Sequence, residues 1–247
     1  MQLKQDPMKP TTARDKIIVA LDVEELAVAQ VLAESLRGAA GAFKIGKQLF
    51  TRYGPEAAAV IRKSGGRFFL DLKFHDIPNT VAGASREAVR LGAAMFTIHA
   101  MGGYDMIRQA VAAVHETTAA TGCERPAVLA VTVLTSLGPD DMQRIGLSGD
   151  LEEMVVRLAR LAQKAGADGV VASPREIAAV KDRCGSDFLV VTPGIRPAEA
   201  RPDDQKRAMT PVEAVRAGAD YLVVGRPVTR APDPRAALES IVRDLEG

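Results

Sequence analysis

The chain has 247 residues, 47% of them hydrophobic, which is enough to bury a sizeable core as one α/β barrel or as two smaller domains. Its 32 Lys and Arg residues nearly balance its 31 Asp and Glu residues, and the formal net charge is +1. This balance leaves no global field that would attract nucleic acid or an anionic membrane, so we expect a small-molecule partner.

The cysteines and the start of the chain indicate the compartment. Cys123 and Cys184 have no C-x-x-C spacing and no nearby histidine at ligand spacing, which predicts inert thiols rather than a disulfide framework or a zinc site. The first residues are polar and charged, and no run of the ~18 apolar residues that a membrane span needs occurs. We expect a soluble cytoplasmic protein with a flexible N-terminal tail over residues 1–15.

From residue 16 onward, short β-branched apolar runs alternate with longer segments of helical period. This alternation predicts a parallel sheet with crossover helices, and eight strand-helix units predict a closed (β/α)8 barrel, the TIM barrel. The predicted strands are residues 17–22, 42–46, 67–73, 95–100, 127–133, 168–172, 188–192 and 221–225. The predicted helices are residues 24–37, 55–63, 79–91, 104–121, 151–165, 174–182, 211–217 and 235–245.

Three similar segments, RLGAAMF (90–96), KAGADGVV (164–171) and RAGADYLVV (216–224), mark helix ends in this pattern. Each places a glycine where a helix should stop before the next strand, and glycine supplies a left-handed cap at little steric cost. No linker or shift in composition interrupts the pattern, so we predict a single domain over residues 16–247. An open doubly wound sheet is the alternative, but the first strand ends in LDVEELA rather than in the glycine-rich turn typical of that fold.

Charged side chains end the first three predicted strands, where a TIM barrel carries its active site. Asp71 and Lys73 are two residues apart in RFFLDLKFHDIPNT, so a regular strand would point them to the same side, and Asp76 follows in the next loop. A solvated ion pair at the rim is the simpler alternative. However, Asp22 and Lys44 end neighbouring strands, and nearby carboxylates favour a protonated lysine. Lys73 is therefore a candidate general acid.

Two segments that combine glycine with arginine, VTPGIRP and VGRPVT, follow the seventh and eighth predicted strands. Loops after these strands often form a phosphate site in this fold. Gly194 and Gly225 let backbone N–H groups approach an anion, and Arg196 or Arg226 can supply a bidentate guanidinium. Each segment alone is more often a plain turn, but the two together predict phosphate binding.

Other polar residues near the strand ends carry weaker signals. His75 and His99 lack the spacing of a metal cage, so we expect each to position or pack rather than bind metal. The segment LTS (134–136) can hydrogen-bond a polar ring, although Ser or Thr at a strand end is commonly a helix cap or turn former. The polar stretch 203–207 is by itself typical of a solvated loop.

Over nearly its whole length the chain resembles the bacterial-type orotidine 5′-phosphate decarboxylases. The matching segments are IIVALDV, FKIGKQLF, FLDLKFHDIPNT, VTVLTS, VTPGIRP, the Asp-Gln pair before Lys206, and DYLVVGRPVT. Together they are highly specific, whereas D-x-K-x-x-D alone is shared with related phosphate-sugar decarboxylases. The resemblance implies decarboxylation of orotidine 5′-phosphate to uridine 5′-phosphate, the last step of pyrimidine nucleotide biosynthesis, with no metal or other cofactor.

The resemblance also implies a role for each matching residue. Lys73 would donate the proton, Asp71 would lie beside the substrate carboxylate, and Lys44 would complete the charged array. Asp76 would reach the neighbouring site of a homodimer, and the loop 197–206 would be a lid. Asp22 and Thr80 would contact the ribose, Thr135 or Ser136 the pyrimidine, and Arg196, Gln205, Gly225 and Arg226 the phosphate.

Two other functions remain open from the sequence. A magnesium-dependent decarboxylase of a keto-sugar phosphate would share the Asp-Lys-Asp motif but resembles this chain less at the second strand, where a carboxylate replaces Lys44. A non-catalytic barrel that binds a nucleotide or phosphate would not need the complete charged array. Because the sequence suggests no electron sink, the implied mechanism lowers the barrier electrostatically, through a fixed ammonium on Lys73.

Overall fold

Eight parallel strands close into a barrel in chain order in this computed structural model, which describes residues 9–196 and 209–247. All eight predicted strands are present, so the (β/α)8 barrel is confirmed and the open doubly wound sheet is excluded. The strands are β1 (Ile17–Ala20), β2 (Ala42–Gly46), β3 (Phe68–Phe74), β4 (Met95–His99), β5 (Ala127–Val131), β6 (Gly169–Val171), β7 (Leu189–Thr192) and β8 (Tyr221–Val224).

Helices surround the barrel, and every predicted helix has a counterpart among them. They are α1 (Leu26–Ser35), α2 (Lys47–Tyr53), α3 (Pro55–Lys63), α4 (Pro78–Leu91), α5 (Gly103–Thr121), α6 (Pro139–Arg144), α7 (Leu151–Lys164), α8 (Ile177–Cys184), α9 (Pro211–Arg216), α10 (Arg226–Thr229) and α11 (Pro234–Glu246). The sequence pattern missed α2, α6 and α10, because such short helices do not span enough turns to display a period. Among the described residues, no helix has the length and apolar character that crossing a membrane requires.

Short 3₁₀ turns add local detail. One of them, Arg14–Lys16, leads into β1, and the backbone of Asp15 packs so closely on Gly41 that a side chain there would collide with it. Residues 1–8 of the predicted tail lie outside the described residues. A second turn, Pro174–Glu176, replaces the first turn of the helix that we predicted over residues 174–182.

Two hydrophobic layers follow from the alternation of side chains along each strand. Ile18 and Ala20 of β1 point into the barrel, whereas Ile17 and Val19 pack outward against the helices. The interior layer consists of Ile18, Ala20, Ala42, Phe69, Met95, Ala127, Leu129, Leu189, Val191, Tyr221 and Val223. The next inward positions of β2 and β3 are Lys44 and Asp71. The same alternation that fills the barrel with apolar side chains therefore places these charges at its mouth.

The repeated glycine segments end helices as predicted. Gly92, Gly166 and Gly218 have φ angles of +78°, +94° and +108°, and the amide after each bonds back to a carbonyl in the last turn of its helix. These caps turn the chain from α4, α7 and α9 into the following strands.

Aspartates next to two of these caps join strands at the opposite end of the barrel from the mouth. Asp168 accepts a hydrogen bond from the Val128 amide at 2.7 Å and pairs with Arg125 at 3.0 Å. Asp220 makes the equivalent pair with Lys181 at 2.7 Å and accepts an amide hydrogen bond from β7. These buried pairs connect β5 with β6 and β7 with β8, which separates a stabilising end of the barrel from its mouth.

Candidate active site

A cavity of about 450 Å³ opens at the carboxyl ends of the strands. It is lined by residues that follow or end every strand except β4 and by interior apolar side chains such as Phe69. The sequence-predicted residues that line it are Asp22, Lys44, Asp71, Lys73, Thr135, Gly194, Arg196, Gly225 and Arg226. Of the two candidates after β5, Thr135 lines the cavity, whereas Ser136 is exposed outside it.

Four charged side chains form an alternating row across the first three strands. The Nζ of Lys44 lies 3.0 Å from Asp22 Oδ1 and 3.7 Å from Asp71 Oδ2, and the Nζ of Lys73 lies 2.8 Å from Asp71 Oδ1. The side chains of Lys44 and Asp71 are only 10% and 13% exposed, whereas that of Asp22 is 59% exposed. The row therefore runs from solvent at Asp22 into the barrel, and each buried charge faces a charge of opposite sign.

Asp71 is held as a carboxylate by its surroundings. Burial by itself would raise its pKa, but the nearby Lys44 and Lys73 ammoniums and hydrogen bonds from Lys73 and Thr97 together lower that pKa below its ordinary value. The carboxylate thus stays negative at neutral pH in spite of its burial.

Lys73 occupies a distorted part of β3. Leu70 pairs with Phe96 and Phe74 pairs with Ile98, so a four-residue step on β3 matches a two-residue step on β4. Within this bulge Lys73 has φ +55°, a left-handed conformation that costs a non-glycine residue about 1 kcal/mol or more. The regular strand that we predicted between Asp71 and Lys73 is therefore wrong in detail, because the two side chains meet through a bulge rather than through simple alternation.

Two further residues shape this row, and the sequence did not single them out. The Thr97 hydroxyl on β4 accepts a hydrogen bond from the Lys73 amide at 2.9 Å and donates one to Asp71 Oδ1 at 3.0 Å. A Cβ on Gly46 would lie 2.9 Å from Asp22 Oδ1 and 3.0 Å from Lys44 Nζ, so glycine leaves room for that ion pair. The available signals were a threonine at an inward position of an apolar strand and a glycine at a strand end.

The side of the cavity that follows β7 and β8 carries the arginines. Gly194 has a left-handed φ of +81°. Ile195 forms a single parallel β-bridge with Met209, so the residues on either side of the stretch 197–208 are paired with each other. The Arg196 amide donates to the Met209 carbonyl at 3.1 Å. Gln205 and the predicted lid over residues 197–206 lie outside the described residues. Thr229 and Arg230 also line this side, although the sequence did not indicate them.

Asp76 and Thr80 do not line the cavity of their own chain within the described residues. Both are exposed, Asp76 on the connection from β3 to α4 and Thr80 in the first turn of α4, and Asp76 Oδ1 accepts a hydrogen bond from the Ile77 amide at 2.6 Å. Exposed apolar side chains lie near the starts of α4 and α5, namely Ile77 before α4, Met101 before α5 and Tyr104 in the first turn of α5. Asp76 thus lies next to the exposed Ile77 rather than in the row of charges.

The two histidines form a stacked pair at the rim. The rings of His75 and His99 lie 5.0 Å apart with an angle of 23° between their planes. Burial, followed by the neighbouring charges of His75, Lys73 and Lys47, lowers the pKa of His99 from 6.5 to about 4. His99 is therefore a neutral imidazole at neutral pH. No group of three or more His, Cys, Asp or Glu side chains converges as a metal site in the ranges 9–196 and 209–247.

A closed parallel barrel with a row of charges and two arginine-bearing loops at its mouth defines the class, a (β/α)8-barrel enzyme. A sequence profile of the Orotidine 5'-phosphate decarboxylase / HUMPS family matches residues 15–241. The chain belongs to this family.

Relatives and solved structures agree with this assignment. The chain is 57% identical over 233 residues to the orotidine 5'-phosphate decarboxylase of Geobacter sulfurreducens, covering 94% of this chain and 97% of the relative. It is 54% identical over 235 residues to that of Moorella thermoacetica, covering 95% and 93%. The crystal structure of orotidine 5'-phosphate decarboxylase from Lactobacillus acidophilus superposes with a TM-score of 0.81 at 37% identity, covering 94% of this chain and 99% of that one.

Proposed function

We propose that this protein decarboxylates orotidine 5′-phosphate to uridine 5′-phosphate, in the last step of pyrimidine nucleotide biosynthesis, and that it does so without a cofactor. Family membership and high identity to enzymes of that name make it a carboxy-lyase. The observation that carries the finer proposal is the alternating row of Asp22, Lys44, Asp71 and Lys73, which runs from solvent into the mouth of the barrel.

In the proposed reaction the bond between the pyrimidine ring and its carboxylate breaks, and carbon dioxide leaves. The electron pair of that bond stays on the ring carbon, and a proton from the Lys73 ammonium forms the new C–H bond. Lys73 is then reprotonated from solvent. A fixed ammonium stabilises the developing negative charge best where its position is already set before the reaction. The contact of 2.8 Å with Asp71 supplies that fixed position.

Asp71 and Lys44 support Lys73 in this scheme. The lowered pKa of Asp71 keeps a negative charge beside Lys73 and, in the bound complex, beside the substrate carboxylate. Repulsion between these two carboxylates would be relieved as carbon dioxide departs. Lys44 balances the charge of Asp71 from the other side.

The arginine side of the cavity suits the phosphate. We propose that Arg196, Gly225 and Arg226 bind it, and that Gln205, outside the described residues, joins them. Binding energy from a phosphate remote from the reacting carbon can be used to hold the ring against Lys73. Asp22, exposed at the end of the row, is then suited to the ribose, and Thr135 to the pyrimidine.

We further propose a homodimer in which Asp76 and Thr80 contribute to the site of the partner. Within the described residues neither side chain lines the cavity of its own chain, and Ile77, Met101 and Tyr104 are exposed at the starts of α4 and α5. Burying these apolar side chains against a second copy would bring the Asp76 carboxylate to a neighbouring mouth. Sedimentation that shows a stable, active monomer would contradict this part of the proposal.

A magnesium-dependent decarboxylase of keto-sugar phosphates fits the mouth less well. The Lys44 ammonium lies between Asp22 and Asp71, where it occupies the place that a divalent cation would take between two carboxylates. The charges there are already balanced by a side chain of the protein.

The test is loss of the orotate ultraviolet absorbance when purified protein is mixed with orotidine 5′-phosphate in the presence of a chelator. We expect rapid loss with the wild type, no detectable loss with Lys73→Ala, and wild-type rates with Lys63→Ala, a matched change of an exposed lysine on α3. An inactive wild type would refute the proposed reaction, and activity that appears only with added magnesium and a keto-sugar phosphate would support the rival.

A further inference from the structure

We infer that Thr97 is a positioning residue for the proposed decarboxylation, because its hydroxyl fixes both the carboxylate of Asp71 and the backbone of Lys73. The inference rests on the proposed function and concerns a residue that does not line the cavity. Thr97 is completely buried on β4, directly beneath the row of charges.

The hydroxyl of Thr97 acts as acceptor and donor at once, toward two groups of opposite kind. It accepts from the Lys73 amide at 2.9 Å and donates to Asp71 Oδ1 at 3.0 Å. An amide N–H can only donate and a carboxylate can only accept, so the group between them must do both. The direction of each hydrogen bond is therefore fixed by chemistry.

The bulge explains why Lys73 needs this partner. Its left-handed φ of +55° interrupts the pairing of β3 with β4, and a buried amide without a partner is costly. The Thr97 hydroxyl accepts the hydrogen bond of the Lys73 amide, in place of the backbone carbonyl that would accept it if β3 and β4 paired regularly. A strained conformation persists only where its surroundings hold it, and this hydrogen bond supplies one such restraint at Lys73 itself.

The two residues after Lys73 are also held against β4. Phe74 resumes the pairing at Ile98, and His75 stacks on His99. Lys73 and the two residues after it, the second of which lies just beyond the end of β3, thus contact three successive residues of β4. Together with the pairing of Leu70 with Phe96, these contacts hold the bulge against β4 at both of its ends and restrain the backbone that carries the Lys73 side chain.

Asp71 depends on the same hydroxyl. Its Oδ1 receives hydrogen bonds from Thr97 and Lys73, while its Oδ2 faces Lys44 at 3.7 Å. Without the Thr97 donor, the carboxylate keeps only its two lysine partners and is free to turn toward either of them. The ammonium of Lys73 would then lose its fixed position relative to the substrate.

The decisive variants are Thr97→Val, which keeps the shape but removes the hydroxyl, and Thr97→Ser, which keeps the hydroxyl. We expect Thr97→Val to lower kcat about 10- to 100-fold, as the loss of a hydrogen bond to a charged group implies, with KM changed less than about 3-fold. The acid limb of its kcat profile should move to higher pH, because Asp71 loses a donor that lowers its pKa. Thr97→Ser should restore kcat to within about 3-fold of the wild type.

Thr117→Val is the matched control. Thr117 is another buried threonine, and its hydroxyl donates only within α5, to the Ala113 carbonyl. This variant should keep the wild-type kcat and pH profile. Wild-type kcat in Thr97→Val, or an equal loss in Thr97→Val and Thr97→Ser, would overturn the inference.

Two further measurements cover the cases in which Thr97→Val does not fold or the wild type is inactive. If Thr97→Val does not fold, Thr97→Cys, with its weaker donor, should give an intermediate loss of kcat, and wild-type kcat in that variant would overturn the inference. If the wild type does not decarboxylate orotidine 5′-phosphate, the proposed function fails by itself. The role of Thr97 is then tested by nuclear magnetic resonance titration of the Asp71 carboxyl, whose pKa should rise in Thr97→Ser less than in Thr97→Cys.

Discussion

The ammonium of Lys73 lies 2.8 Å from Asp71 Oδ1, and the backbone of Lys73 itself departs from the strand conformation with a φ of +55°. A regular strand would also have placed both side chains on one side of the sheet, but at a spacing set only by the pleat. The bulge brings the two charges into direct contact at the mouth. Its position next to a cavity agrees with the general tendency of bulges and strained residues to lie at functional sites.

Replacing Lys44 by methionine should lower activity strongly. The variant Lys44→Met keeps much of the side-chain volume but leaves Asp71 with one neighbouring cation instead of two. We expect kcat/KM to fall by about 100-fold or more, as for loss of one preorganised charged partner. Steady-state kinetics with orotidine 5′-phosphate measure this change. Lys164→Met on the exposed surface of α7 is the control, and an equal effect of both substitutions would contradict a role for Lys44 in the row.

A methyl group on Gly46 should disturb the same row from another side. The new Cβ of Gly46→Ala would lie 2.9 Å from Asp22 Oδ1, so the ion pair between Asp22 and Lys44 must move. The φ of Gly46 is −89°, which alanine adopts without strain, so the thermal stability should change little. We expect kcat/KM to fall by about 10-fold or more, because the displaced Lys44 no longer holds the row of charges in its original geometry.

Gly83→Ala provides the comparison for that measurement. Gly83 lies inside α4, and a Cβ there meets no atom within 4 Å. This variant should keep wild-type kinetics and gain about 0.5–1 kcal/mol of stability from helix propensity. Unchanged kinetics in Gly46→Ala would show that the ion pair tolerates the methyl group.

The sequence predicted much of this architecture because the barrel repeats one simple unit. Each strand is a short apolar run, and alternation along β2 and β3 is enough to place Lys44 and Asp71 inward at the mouth. The glycine caps could be read from the sequence as well, since a left-handed residue at a helix end is a local requirement. Side-chain alternation and helix caps were therefore enough to predict the structure wherever the strands and helices are regular.

Where the period breaks, the sequence could not predict the site. The contact of Thr97 with Lys73 depends on a register shift between two strands, and no local pattern in RFFLDLKF marks that shift. The requirement for Gly46 arises from an ion pair whose partners are distant in the chain. The location of Asp76 outside its own cavity likewise follows only from the path of the loop after the bulge.

The far end of the barrel should affect stability without affecting catalysis. Asp168→Asn removes the charge that balances Arg125, and these side chains are only 9% and 10% exposed. Breaking a buried pair in this way costs about 3–5 kcal/mol, so we expect a clearly lower midpoint in urea unfolding. The kinetic constants at 25 °C should match the wild type, because the pair lies away from the mouth. Asp182→Asn, on the exposed surface of α8, is the control and should change neither the unfolding midpoint nor the kinetic constants. An unfolding midpoint as high in Asp168→Asn as in Asp182→Asn would disprove the stabilising role of the pair between Asp168 and Arg125.

His99 should make the stability of the protein depend on pH. Its pKa is about 4 in the folded chain but near 6.5 when unfolded, because burial and the positive charges of His75, Lys73 and Lys47 oppose its protonation. As the pH falls from about 6.5 through about 4, the unfolded chain therefore takes up a proton that the folded chain does not, and stability is lost. Above this window the contribution is constant.

The variant His99→Phe tests this effect, because it retains an aromatic ring to stack on His75 but cannot titrate. Urea unfolding at about pH 7.5 and about pH 5 should give a smaller loss of stability in the variant than in the wild type. Asp71 does not interfere above pH 5, since its pKa lies below the ordinary range and its stabilising contribution is lost only at lower pH. An equal loss of stability in both proteins would mean that another group takes up the proton, and the neutral stacked imidazole would then not be the source of the pH dependence.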